Sequence, residues 1–360
     1  MSEKIPNIYF FIPSEKIVSN FNINITSYWN WINHFIEHTP IDLLDGSGKC
    51  GSIGPYNWTI QTYIYLKHFK YKYQITNSLD VEGIIISHGD FLPRYIKPSS
   101  KRFIVEIKPD RSLKAIFANF AIVQNSHDPI SNGFRKFFIS SAYINYWPQP
   151  SMIKRDISRG SRIKNVCYVG KIEQFISNVS SLKKELRKLG MSFKMIPRKD
   201  WNNYSEIDVI VAVRKNAKTR KKLVASNLSS SKKPASKLIN SWMAGVPAIL
   251  SRDDAFLELK KTERDFLEAD DLDEIINQLK RLKNDPKLFH SMIKNGFERS
   301  EDFYPEIIAK QWHNLIHKSI VPNYFLWRNS FYRRFFMIFC RGIFYPKILK
   351  LVFKDFIRSS

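Results

Sequence analysis

Short apolar runs alternate with longer amphipathic stretches along the chain. Ile8–Pro13, Gly83–Ser87, Phe103–Ile107 and Ala121–Gln124 are brief runs dominated by Ile, Val, Phe and Ala, which predict short buried strands. Between them, Tyr28–His38 and Trp58–Phe69 carry apolar residues at helical spacing. The rhythm breaks at Trp147-Pro148-Gln149-Pro150, where two prolines forbid helix and force an extended path. The polar, basic stretch Ser151–Lys164 that follows reads as an interdomain linker. A second rhythm then begins. Asn165–Val169, Ser192–Ile196, Ile207–Val213 and Pro247–Leu250 predict strands, and Ser180–Leu189, Lys237–Ala244, Asp271–Leu282 and Pro286–Asn295 predict helices. Gly190 and Gly245 end two of these helices, while Asp285 and Pro286 supply an N-cap and a first helical residue.

Strands alternating with helices imply parallel sheets covered on both faces, so the expected fold is α/β with two Rossmann-like domains facing a cleft. The expected bounds are 1–150 for the first domain, 151–164 for the linker, 165–318 for the second domain and 319–360 for a basic, aromatic helical tail. A length of 360 residues suits two domains. Open parallel sheets bind ligands at the carboxyl ends of their strands, which puts the chemistry in the cleft.

Charge sharpens this picture. The formal net charge is +24, of which residues 1–150 contribute only +4. Arg214–Lys237 holds nine basic residues and no acid, and Tyr324–Ser360 holds eight against Asp355 alone. Such clusters call for an anionic partner. Cys50, Cys167 and Cys340 are far apart and form no Cys-x-x-Cys pair, so neither a disulfide framework nor a cysteine-built zinc site is expected, and the expected compartment is the reducing cytoplasm. The first residues show no basic-then-apolar leader, and no window approaches 18 uninterrupted apolar residues.

The most informative stretch is Lys232–Leu250, KKPASKLINSWMAGVPAIL. Ser236 occupies the expected N-cap, and the first turn of a helix presents free N–H groups with a partial positive charge. Lys233 and Lys237 flank that turn, so a diphosphate there would meet helix donors, a hydroxyl and two ammonium groups. Asn240, one turn on, would reach a ribose or sugar hydroxyl.

Together with Asn165–Lys171 (NVCYVGK), Tyr204–Arg214 (YSEIDVIVAVR) and Asp265–Leu282, this stretch resembles the nucleotide-sugar-binding half of a glycosyltransferase of the GT-B architecture, family 4- or family 1-like. The resemblance covers roughly residues 145–315 well and the first half loosely. It implies a sugar transferase acting on a nucleotide-sugar donor; no cofactor is expected, and no metal, since the acidic pair Asp270-Asp271 opens a helix and the Lys/Arg cluster can neutralise a departing diphosphate. Carried across residue by residue, it implies phosphate contacts from Gly170, Lys171, Arg214, Ser236 and Lys237, to which the reading of the helix start adds Lys233 and Asn240. Many retaining members carry two glutamates eight residues apart around this helix; here those positions are Lys232 and Asn240, a departure that leaves the anomeric outcome unassigned.

In the first half, Ile84–Asp90 (IIISHGD) ends a strand with His88 and Asp90, the candidate catalytic residues. His88 at a strand's carboxyl end is placed to take a proton from an acceptor hydroxyl or to hydrogen-bond the donor, and Asp90 to orient it or act as the base. The glycine-containing loop Gly46–Gly54 lacks the P-loop pattern and reads as an acceptor-side loop. Asn323–Ser360 contains twelve aromatic residues interleaved with cations, which suits either docking on the first domain or an anionic membrane surface. A peripheral position and a carbohydrate or lipid-linked acceptor in surface polysaccharide or glycolipid assembly follow from the second. Two rival functions fit parts of the pattern: a nucleotide-sugar epimerase of the same architecture, and a basic nucleic-acid-binding protein. The second is disfavoured because Arg214–Lys237 has no aromatic residues and no nucleic-acid-binding motif appears.

Overall fold

A computed structural model describes residues 4–19, 21–38, 54–109, 113–128, 130, 139–170, 175, 178–214 and 233–342. These divide into two compact units, one within Met1–Ile144 and Ile308–Ser360, the other within Asn145–Ile307.

In the first unit, β1 (Ile8–Phe11), β2 (Gln74–Thr76), β3 (Gly83–His88), β4 (Arg102–Lys108), β5 (Phe120–Val123) and β6 (Ser140–Tyr143) form one sheet in the order β2-β1-β3-β4-β5-β6. Every neighbouring pair is parallel. The central strands are buried along their whole length because Ile, Val and Phe fill both faces. Helices α1 (Glu15–Ser19), α2 (Tyr28–His38) and α3 (Thr62–His68) connect β1 to β2, with a π-turn at Asn57–Gln61 leading into α3.

The second unit contains β7 (Asn165–Val169), β8 (Ser192–Ile196), β9 (Val209–Ala212), β10 (Ala248–Leu250) and β11 (Leu267–Glu268), in the order β11-β10-β9-β7-β8, again wholly parallel. Its helices are α4 (Val179–Lys188), α5 (Ser236–Ala244), α6 (Asp254–Leu259), α7 (Leu272–Asn284) and α8 (Pro286–Ser300). Asp271 and Asp285 cap α7 and α8 through bonds from Glu274 N–H and Leu288 N–H. Both sheets reverse strand order once, between β1 and β3 and between β7 and β9. At such a reversal the crossovers leave toward opposite faces and a crevice opens at the strands' carboxyl ends.

Two expected boundaries move. The segment 151–164, expected as a linker, is part of the second unit. Arg155 and Arg159 reach back to Asp208, a fully buried carboxylate just before β9, at 2.9 and 2.8 Å. Asp208 also accepts the amides of Lys164 and Asn165. Burial alone would raise its pKa, but Arg159, the two amides and Arg155 outweigh that and hold it below the ordinary carboxylate value. The charges that made this stretch look solvated are thus spent on a buried anion.

The second unit also ends at Ile307, not at residue 318. From Ile308 on, the rest of α9 (Pro305–Leu315), a π-turn (Ile316–Ile320), α10 (Val321–Asn329) and α11 (Phe331–Gly342) belong to the first unit. Trp312 is fully buried beside Phe10, and Trp327 Nε1 donates to the carbonyls of Ser99 and Arg102. Among the described residues no helix is long and apolar enough to cross a membrane.

Removing the Asp208 carboxylate leaves the buried guanidinium of Arg155 and the partly buried one of Arg159 without their anion. Asp208→Ala is expected to cost about 3–5 kcal/mol of stability at neutral pH. Because the folded pKa lies below the unfolded one, this contribution is full above the ordinary carboxylate range and lost as the pH falls through the folded value. Urea melts of wild type and variant should therefore converge in acid; parallel pH profiles would show that Asp208 is not the anchor.

Candidate functional site

The sites expected from the sequence fall at the carboxyl ends of strands next to the two order reversals. In the second unit, Gly170 follows β7 and Arg214 follows β9, the two strands that flank the reversal. Helix α5 begins beside them: Lys237 Nζ lies 5.7 Å from the centre of the Tyr168 ring, and Lys237 Cε is 3.3 Å from where a Cβ on Gly170 would sit. That Cβ would also press to 2.8 Å from the Tyr168 hydroxyl, and Gly170 has φ +154°, so the chain requires glycine here. Tyr168, Ala212, Val213, Arg214, Lys237 and Phe256 enclose a cavity of about 10 Å³, enough for about one water.

Among the described residues, cations gather in this corner. Arg214 Nε pairs with the buried Asp253. Lys233 and Arg214 both act on Lys237 as like charges, and Asp253 is the acid that opposes them. Burial first, then Arg214 and Lys233, push the Lys237 ammonium down to about 7. An ammonium so placed is stabilised by an incoming anion, and the Ser236 and Lys237 amides stand in the first turn of α5, where N–H groups have no helical acceptor.

Two expectations about this helix are corrected. Ser236 is not the N-cap: Ala235 holds that position, its carbonyl accepting the Leu238 and Ile239 amides, and Ser236 is the first helical residue. Pro234, with no N–H to give and a fixed φ, stands just before that cap. Asn240 does not stand ready for a sugar hydroxyl. It is buried, its Oδ1 accepts the Gln149 amide at 3.0 Å, and it bonds the Tyr204 side chain. Its work is to hold the Trp147–Pro150 segment. Lys171 and Lys232 lie outside the described residues, as does the loop 46–53. Sequence reading passed over Tyr168, the floor under Lys237, and Asp253, the partner of Arg214. A Tyr inside a strand and an acidic pair before a helix carry no local mark of such roles.

In the first unit, His88 closes β3 and is buried. Its Nδ1 accepts the Asp90 amide at 3.0 Å, capping the 3₁₀ turn Gly89–Phe91, and its own amide donates to Thr59 Oγ1. An Nδ1 that accepts an N–H carries no proton, so the ring hydrogen sits on Nε2. That corrects one expectation: in this tautomer His88 is a hydrogen-bond donor at Nε2 and not a base. The Asp90 carboxylate lies 3.8 Å from both His88 Nδ1 and Lys114 Nζ. Behind the turn, Glu106 of β4 is buried and accepts the amides of Lys114 and Ala115; burial drives its carboxyl up to about 7 against the pull of those amides and of Lys108. A Cβ on Gly89 would fall 2.4 Å from Glu106 Oε1, so glycine lets the turn close over this acid. Among the described residues no three His, Cys, Asp or Glu side chains are grouped to hold a metal ion.

No family model and no curated sequence matches the chain. Among solved structures it is similar to sucrose-phosphate synthase from Thermosynechococcus elongatus, with 14% identity and TM-score 0.46 over 74% of this chain and 78% of that one. It is similar also to Anabaena HepE in complex with UDP and glucose, with 12% identity and TM-score 0.45 over 87% and 100%. A third is the lipopolysaccharide outer core galactosyltransferase WaaB, with 15% identity and TM-score 0.39 over 87% and 99%.

Two measurements check these assignments. The unfolded chain holds a proton on Lys237 up to its ordinary value of 10.5, while the folded chain releases it near 7. Wild-type stability should therefore rise with pH across that window relative to Lys237→Met, and a constant difference would refute the shift. Nitrogen-15 NMR should find His88 protonated at Nε2; a proton on Nδ1 would restore it as a candidate base.

Proposed function

We propose that the chain is a GT-B glycosyltransferase, moving a sugar from a nucleotide-sugar donor to a hydroxyl acceptor. The observation that carries this reading is the cluster of cations at the β7/β9 reversal, where Gly170, Arg214, Lys233 and Lys237 meet the start of α5. A diphosphate brings negative charge to this cluster. In the transfer, the acceptor oxygen bonds the anomeric carbon as that carbon's bond to the diphosphate breaks, and the hydroxyl proton leaves. The charge growing on the departing diphosphate is met by the ammonium of Lys237, by Arg214, Lys233 and the first amides of α5, with Ser236 adding its hydroxyl. These cations do the neutralising that a divalent metal does elsewhere, so the reaction is proposed to need neither metal nor cofactor. On the acceptor side His88 donates from Nε2, and the Asp90 carboxylate is the member of that pair able to receive a proton.

The acceptor is proposed to be a carbohydrate or lipid-linked sugar of surface polysaccharide or glycolipid assembly, met by an enzyme working on the cytoplasmic face of the membrane. No nucleic-acid partner is proposed.

Titration calorimetry with UDP tests the donor site. Lys237→Ala should weaken binding by about 1–3 kcal/mol, as for a charge-assisted contact. Above pH 7 wild-type binding should take up a proton as the diphosphate restores the ammonium, so the heat at pH 8 should vary with the buffer's ionisation enthalpy. Heats that are independent of buffer, or a variant that binds as wild type, would end the assignment.

A further inference from the structure

Helix α11 (Phe331–Gly342) has two unlike sides. Its inner side is fixed to the first unit: Ile338 packs with Ile116 and Phe117, and Arg341 Nη1 donates to the carbonyls of Ile116 and Ala118. Arg334 Nη1 ties the helix to the end of α10 through the carbonyls of Trp327 and Arg328. Its outer side carries five aromatic rings in water. Phe331, Tyr332, Phe335, Phe336 and Phe339 are between 40% and 83% exposed. Phe331, Phe335 and Phe339 lie a turn apart and stack successively, with ring centres 6.3 Å apart. Scattered exposed rings are ordinary, but a contiguous arc on one helix marks an interaction surface.

Beside the arc runs a groove of about 820 Å³, walled by Phe331, Arg334 and Ile338 of α11 and by residues 97–102 opposite. Its two acids are already engaged, Asp80 with Arg102 and Glu82 with Arg328. Lys97 and Lys101 on its wall, and Arg333 on the helix, form no ion pair among the described residues. The cations left over therefore favour an anionic partner, and five rings to three cations weights the surface toward an apolar boundary rather than a phosphate-by-phosphate contact with a nucleic-acid strand. Residues 343–360 of the sequence add Lys347, Lys350, Lys354 and Arg358 against Asp355. The 12 described residues of α11 run about 18 Å, long enough to lie in a bilayer surface.

We propose that the outer face of α11 and the adjoining groove form a docking surface for an anionic bilayer, with the rings seated at the acyl boundary and Lys97, Lys101 and Arg333 on the headgroup phosphates. This gives a physical site to the membrane position proposed above, and it shares no residue with the donor corner.

The test is co-sedimentation of the full chain with phosphatidylcholine vesicles, with and without phosphatidylglycerol. Wild type should pellet with the anionic vesicles and remain largely in solution with the neutral ones. Phe335→Ser with Phe336→Ser should lower the partition coefficient by roughly tenfold or more, and Lys97→Ala with Lys101→Ala by about fivefold per charge. All four side chains are exposed, and UDP titration of each variant should match wild type, which separates a misfolded variant from a lost surface. The proposal is overturned if wild type stays in solution with both vesicle types, or if both double variants pellet like wild type. It is also overturned if the serine variant converts a dimer to a monomer in sedimentation velocity, which makes the face a contact between copies, or if an RNA oligonucleotide binds where vesicles do not. Vesicle binding without UDP binding would sink the donor reading and leave this one standing.

Discussion

Asp208 ties the first residues of β7 to the start of β9 with a single carboxylate. By accepting the amides of Lys164 and Asn165 together with Arg155 and Arg159, it clamps the two strands at their amino ends. Parallel strands held at one end arrive in register at the other. The emergence of Gly170 from β7 and of Arg214 from β9, side by side, is a consequence of that clamp a few residues earlier. A buried anion is costly unless every lone pair is met, and five donors meet these. Rigidity at the foot of the sheet holds the cluster of cations in place at its top.

The two strand-end sites solve opposite electrostatic problems. Around His88 the charges alternate: Asp90 beside Lys114, Glu106 under the turn, and Lys108 paired with Asp128 in the loop after β5. Such a place holds geometry and proton positions without an external ion. Around Lys237 cations outnumber the acid, and desolvation leaves the excess poorly screened.

Much of the fold was legible from pattern. The buried central strands declared themselves because both faces must be apolar, and Asn165–Val169 and Ser192–Ile196 coincide with β7 and β8. The strands that escaped notice are β2, β6 and β11, at sheet edges or only two residues long, where half the positions face water and the alternation fades. Local sequence placed Gly170, Arg214 and Lys237 in one neighbourhood through strand ends and a helix start. It misjudged Asn240 and Ser236 because the partners that decide their roles, Gln149 and Pro234 with Ala235, act through backbone geometry. The linker was misread for a related reason: arginines in a polar stretch look solvated until the distant carboxylate they serve is known.

The late return of the chain to the first unit has a consequence for biosynthesis. Phe10 and β4 are made early, yet Trp312 and Trp327, which cover them, leave the ribosome only after the whole of the second unit. The second unit has all of its sheet and helices in hand by Ile307 and is free to fold during translation. The first must wait, its sheet partly uncovered, until synthesis has passed α10. Order of manufacture and order of folding are therefore reversed, and the nascent first sheet is the species that a holding chaperone would meet.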